Sequence, residues 1–327
     1  MKALLLVLSV LSTFPVYGQP LAPEEPPAPT TKNRPTGKSP KGAVPVDGKA
    51  ATLPPGVIIL NEPILLLDGE WLVGHPDGTT LALADGANCP VIIVGHLDED
   101  PAPVRGVAIR HLRIVGSRNT QQYEGWGGDP LVPSYNNPYS YIRNNGITVR
   151  NGHGVVIEDV LARECRSGGL VLEKGCRGVI VTESVFERNF FDGVAAYETE
   201  GCLLYRVLMR DNDYAGFSGD LSFSGNAIVG CHLVANKRQG IFLRDSCCNW
   251  FDSLYIADNG DHGVFLAASE HGPAHRNLFS RISFFRNRHD FHINDESCEG
   301  NRLVSPRFIG KRLIWFTGSP GSGYTRR

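Results

Sequence analysis

The chain has 327 residues, 42% of them hydrophobic, and a formal net charge of −2. That is enough apolar material for a large core, and the balanced charge leaves no electrostatic footprint for nucleic acid or an anionic membrane surface. Glycine is abundant (37) and methionine scarce (2), and the apolar residues come in short Val/Ile/Leu/Phe runs rather than helical stripes, so the composition predicts an all-β protein.

The first element is a targeting signal over residues 1–18. Lys2 supplies the positive region, Ala3 to Leu11 an apolar run too short to cross a bilayer, and Val16-Tyr17-Gly18 the small residues of a cleavage site. An exported protein, periplasmic or extracellular, is expected, with no integral membrane segment after cleavage. Residues 19–55 are rich in Pro, Lys, Thr, Glu and Ala and read as a disordered linker, because such a stretch cannot bury enough surface to offset its ordering entropy.

From residue 56 to 312 the reading changes to a solenoid. Glycines preceding an apolar alternating run, Gly146, Gly169, Gly193, Gly216, Gly240 and Gly263, recur at spacings of 23 or 24. Four residues earlier stand Asn189, Asn212, Asn236 and Asn259, with Cys165 one coil before and Asn287 one coil after. A second column holds Cys202, Asn226, Asn249 and Asn277. If each repeat is one coil of three short strands, equivalent residues stack at about 4.8 Å, and inward amides can bond their counterparts above and below. Two apolar columns fit the same register: Ile157, Val181, Leu204, Ile228, Phe251 and Phe279, and Ala162, Phe186, Met209, Leu233, Ile256 and Phe284. The repeated glycine is expected to adopt a turn conformation that few other residues can.

The Asn ladders, the Asn-x-x-x-Gly-apolar unit and the opening run from Gly56 to Gly74 resemble the right-handed parallel β-helix of the pectin-lyase-like superfamily, over about residues 56 to 310. The resemblance implies a substrate laid along one outward sheet face. It brings no catalytic motif with it: the Asp-Pro-His of mannuronan epimerases, the paired Asp of polygalacturonases and the pectate-lyase signature are all missing. Leu313 to Phe316 is read as a terminal cap at the head of a short tail, 313–327.

Candidate site residues therefore come from the geometry of the strand after each glycine. Alternation turns its second and fourth positions outward. The fourth positions form a file of Arg150, Glu173, Tyr197, Asp220, Arg244 and Ala267; the second form a milder row of Thr148, Val171, Ala195, Ser218, Phe242 and Phe265. Removal of the proton α to a uronate carboxylate needs a proton-transfer group and a cation that stabilises the enolate, roles that suit Tyr197 and an arginine. Arg150 and Arg244 are candidate carboxylate binders. Glu173 and Asp220, about 9 to 10 Å apart across two coils, allow the alternative of an inverting glycoside hydrolase.

Two excursions border the file. Residues 118–143 carry Tyr123, Trp126, Tyr135, Tyr139 and Tyr141, rings suited to stacking on sugars, and residues 269–276 carry His271 and His275. Asp192 and Asp213, in turns beside the same strands, are the carboxylates a Ca²⁺ ion would use; no cofactor is otherwise implied. The expected partner is a polysaccharide, and the expected activity a lyase or C5-epimerase on a uronate-containing glycan. The other readings are a solvated face of mutually satisfied charges, or a non-catalytic glycan-binding or structural surface solenoid. Cysteines 165, 202 and 231 fall on inward positions, and the adjacent Cys247-Cys248 pair is read as buried thiols too, with a bridge to Cys298 or a redox role as the alternative.

Overall fold

In the computed structural model, residues 50–121, 139, 142–310 and the strand Ile314–Phe316 are described. The assigned signal (1–18), nearly all of the assigned linker (19–55), and Tyr123, Trp126, Tyr135 and Tyr141 lie outside them. Every strand pairing between coils is parallel. One sheet of ten strands runs the length of the rod, from Ile64–Leu66 through Val194–Tyr197 to Ile314–Phe316, and an eighteen-stranded sheet supplies two more strands per coil. The chain is thus an all-β parallel β-helix. No helix among the described residues is long and apolar enough to cross a membrane.

The expected registers are observed. Val181 pairs with Leu204, Leu204 with Ile228 and Ile228 with Phe251, and likewise Phe186, Met209, Leu233 and Ile256 pair in succession. Both columns are fully buried. Phe251 and Phe279 stack with ring centroids 4.6 Å apart, so neighbouring coils pack face to face as well as through their backbones.

Two boundaries shift. Ala51–Thr52 already pairs with Leu72 and Val73, so strand pairing begins inside the stretch assigned to the linker. Ile314–Phe316 pairs with Phe291, His292 and Ile293 and thereby continues the ten-stranded sheet. It is one more rung, because nothing in its pattern breaks the ladder.

The Asn columns are continuous. Asn189, Asn212, Asn236 and Asn259 each donate from Nδ2 to the Oδ1 of the next Asn at 2.9–3.0 Å, ending on Asn287, and each backbone N–H donates to that same oxygen at 3.1–3.2 Å. A second file runs Asn226, Asn249, Asn277, Asn301 in the same manner. Every asparagine of the two files is engaged, which is the condition for a polar row inside an apolar core.

The repeated glycines serve a different end from the one expected. None of Gly146, Gly169, Gly193, Gly216, Gly240 and Gly263 has a left-handed φ. Their requirement is steric: a Cβ on Gly216 would lie 2.9 Å from both the Gly240 carbonyl oxygen and Asn236 Nδ2. Gly216→Ala is accordingly expected to cost about 3 kcal/mol through overpacking against backbone that cannot retreat; thermal unfolding would measure it.

Candidate functional site

The outward face of the ten-stranded sheet is more covered than expected, although Glu173, Tyr197, Phe242 and Arg244 stay half-buried. Arg150 and Asp220 are 5% and 4% exposed, and Thr148, Val171, Ala195, Ser218 and Phe265 are likewise buried. Part of the cover comes from the returning end of the long excursion. Asn145 Nδ2 donates to Thr148 Oγ1 (2.9 Å), Asn145 Oδ1 accepts from the Gly168 N–H (3.0 Å), and the Asn144 carbonyl accepts from the Ser167 N–H (3.0 Å). Tyr139 and Ile142 are buried as well.

Within the file the charges match coil by coil. Arg150 Nε donates to Glu173 Oε1 at 2.9 Å, and its Nη1 to the His96 carbonyl at 2.7 Å. Two coils on, Arg244 Nε donates to Asp220 Oδ2 at 2.9 Å with Nη2 on the same oxygen, while Asp220 Oδ1 accepts from the Leu221 N–H. Arg150 and Arg244 are therefore already committed to carboxylates, and so are Glu173 and Asp220. Phe242 lies under the Arg244 guanidinium (5.5 Å) and stacks on Phe265 (5.8 Å).

Tyr197 stands between these ion pairs, in register with Asp220. Arg143, from the returning excursion, hydrogen-bonds its side chain. Burial, reinforced by the charges of Asp192 and Asp220 and opposed by Arg143, raises the phenol above its ordinary range. Asp192 is 3% exposed, accepts from Ser218 Oγ at 2.5 Å and from the Ala215 N–H at 2.8 Å, and is pushed up to about 6 by its burial. Asp213 is held by Arg118 (2.7 Å) and Lys237 (2.8 Å). Both aspartates, the carboxylates assigned to Ca²⁺, thus have protein partners, and among the described residues no group of three or more His, Cys, Asp or Glu is disposed to hold a metal.

The second excursion folds back in a tight turn between Ser269 and Gly272, and His275 pairs with Cys247 on a corner strand. The histidines on the sheet itself are different ones. His262 Nε2 and His292 Nδ1 are 2.8 Å apart, and His262 and His289 stack at 5.0 Å. Another histidine, in the run Gly152-His153-Gly154, bonds Arg105 and Asn151 on a corner and stays out of the file.

Arg143, His262, His289 and His292 were all missed by reading forward from each glycine, and Asp192 was singled out only as a Ca²⁺ ligand. Column stacking, not alternation, held the usable signal: Asn145, Asp192, Gln239 and His262 recur one residue before a glycine, a place that strict alternation counts as inward. For Arg143 there was none, since it arrives from an irregular segment.

A family model described as right handed beta helix region matches residues 134–279. Among solved structures, ORF18 of Geobacillus virus E2 superposes with a TM-score of 0.59, covering 80% of this chain and 54% of that one, at 14% identity. Full-length tailspike protein 2 of the Escherichia coli O157:H7 bacteriophage CAB120 gives 0.53, covering 82% and 40%, at 14% identity. The A-module of the Azotobacter vinelandii mannuronan C-5 epimerase AlgE6 gives 0.45, covering 84% and 92%, at 14% identity. No curated protein sequence matches the chain. The chain spans about half the length of the ORF18 protein. At such identities what is shared is the fold.

Proposed function

We propose that this right-handed parallel β-helix is an exported protein acting on a uronate-containing polysaccharide, as a lyase or C5-epimerase whose proton-transfer residue is Tyr197. The observation that carries the reading is the bond between Arg143 and the Tyr197 side chain on a face where the neighbouring arginines are already paired. A uronate carboxylate lends acidity to its α-proton only when a cation shares the enolate charge, and Arg143 is the cation beside the phenol. Burial keeps Tyr197 protonated at rest, so it is the donor, either to C5 from the far side or to the leaving oxygen. Asp192, ionised above about pH 6, is the acceptor. Glu173 and Asp220 position the site by holding Arg150 and Arg244, a use that speaks against their working as a hydrolytic pair. Stacking of sugar rings on Tyr123, Trp126 and Tyr135 belongs to this reading on sequence grounds, and Phe242 would extend it.

The test is to incubate the purified protein with alginate, pectin and neutral glycans, following unsaturated products and deuterium uptake at C5. Tyr197→Phe should lower turnover about 100-fold or more with retention on the glycan unchanged, and turnover should rise as pH passes upward through about 6. Turnover undiminished in Tyr197→Phe would sink the site. The mutual pairing of the charges on this face favours a second reading, a glycan-binding or structural solenoid, and binding by the wild type without turnover of any polymer would establish it.

A further inference from the structure

The corner that follows the short strands Gly152–His153, Phe223–Ser224, Ser246–Cys247 and Ala274–His275 is turned by one residue in the left-handed region. Successive coils fill it with Gly106, Gly154, Gly178, Gly201, Gly225, Cys248, Arg276 and Gly300, at φ between 51° and 68°. A Cβ built on Gly154, Gly201 or Gly225 meets nothing within 4 Å, so a side chain in this column projects outward. Left-handed backbone costs an L residue what glycine avoids. Only two adjacent coils of the eight depart from glycine, and they do so with Cys248 and Arg276.

Cys248 is exposed and Cys247 half-exposed, in contrast to the other six cysteines, which are buried. The thiols of 247 and 248 hydrogen-bond each other, and the Arg276 charge acts on Cys247. Partial burial and the neighbouring thiol push Cys247 up to about 11, and the solvent-facing position of Cys248 lets it meet an oxidant first. Several of the buried thiols are otherwise engaged: the Cys176 thiol, for example, lies 3.3 Å from the Val149 and Glu173 carbonyl oxygens.

We infer that Cys247 and Cys248 form a dithiol redox site that closes to a vicinal disulfide at the expense of a small-molecule disulfide such as oxidised glutathione. The Cys248 thiolate attacks one sulfur, forming a mixed disulfide and releasing one reduced thiol. The Cys247 thiolate then attacks the Cys248 sulfur, forming the protein disulfide and expelling the second thiol. Two electrons and two protons leave the protein thiols, and both pairs end on the small molecule. A trans peptide holds adjacent Cα atoms about 3.8 Å apart, below the usual disulfide span, so the closed ring is strained and readily reduced again. It behaves as a switch, not a staple.

The full-length protein, reduced and then incubated with oxidised glutathione, is read by intact mass and peptide mapping. The wild type should lose two hydrogens, keep no glutathione and yield a joined Cys247–Cys248 peptide. Cys247→Ser should stop with one glutathione on Cys248. Cys248→Gly, which restores the usual corner residue and so keeps the fold, should not react. Arg276→Gly, equally neutral for the corner, should close about threefold more slowly or worse. A wild type that keeps glutathione on Cys248, stays unreactive, or bridges to Cys298 overturns the inference.

Discussion

Replacing Asn212 by Ala is expected to destabilise the rod by about 3 to 9 kcal/mol, measured as a lowered urea midpoint. Asn212 Oδ1 accepts from both the backbone N–H and the side-chain Nδ2 of Asn189, and Asn212 Nδ2 donates to the Phe186 carbonyl at 3.2 Å and to Asn236 Oδ1. Truncation strands two donors and a carbonyl where water cannot reach, and each stranded group costs about 1 to 3 kcal/mol. The effect should depend on the place in the ladder. Asn189 is the first amide of its file and accepts only from the Cys165 N–H at 3.1 Å, so Asn189→Ala, which strands one group against three, should cost about a third as much. Equal losses at the two sites would mean that lost packing, and not stranded hydrogen bonds, sets the cost.

Acid should unfold the C-terminal coils through His262. Burial, then the nearby His292, His289 and Arg288, holds its imidazole down at about 3, well below its ordinary 6.5. His289 is lowered too, by burial and Arg288, with Asp261 opposing. Between pH 6.5 and about 3 the unfolded chain binds a proton that the folded one refuses, so stability falls as pH falls through that window and is complete above it. The loss is on the order of 3 kcal/mol once partial exposure is discounted. Hydrogen exchange over residues 262–310 should report it, and His262→Phe, seated between Phe265 and His289, should flatten the pH dependence. A variant as acid-sensitive as the wild type would place the effect elsewhere.

The fold was legible because stacking converts a period into chemistry. Asn236 and Asn259 need each other, and only a repeat of coil length brings them together, so the spacing carried the topology. The glycine column was legible in position and misread in cause: close approach between coils and a left-handed turn both call for a missing Cβ, and sequence cannot tell them apart. The site was legible only in part. Alternation placed Arg150 beside Glu173 and Tyr197 beside Asp220, as the pairing shows, with Arg244 bonded to Asp220, yet burial depends on what lies over a face, and Asn144 and Asn145 come from a segment with no period. Cys248 shows the same limit in reverse, since the thiol expected inside sits at a corner where the coil points outward.

One consequence of the ladder concerns length. Each Asn offers its neighbour on one side the same oxygen that it seeks from its neighbour on the other, so every joint is chemically identical. A rod assembled this way has no preferred number of storeys: a whole coil of 23 or 24 residues could be duplicated or excised between Asn212 and Asn236 with both seams healing, whereas removing half as many would leave Asn212 facing Cys248. Growth by complete turns is therefore the natural route by which such a chain acquires a longer or shorter working face.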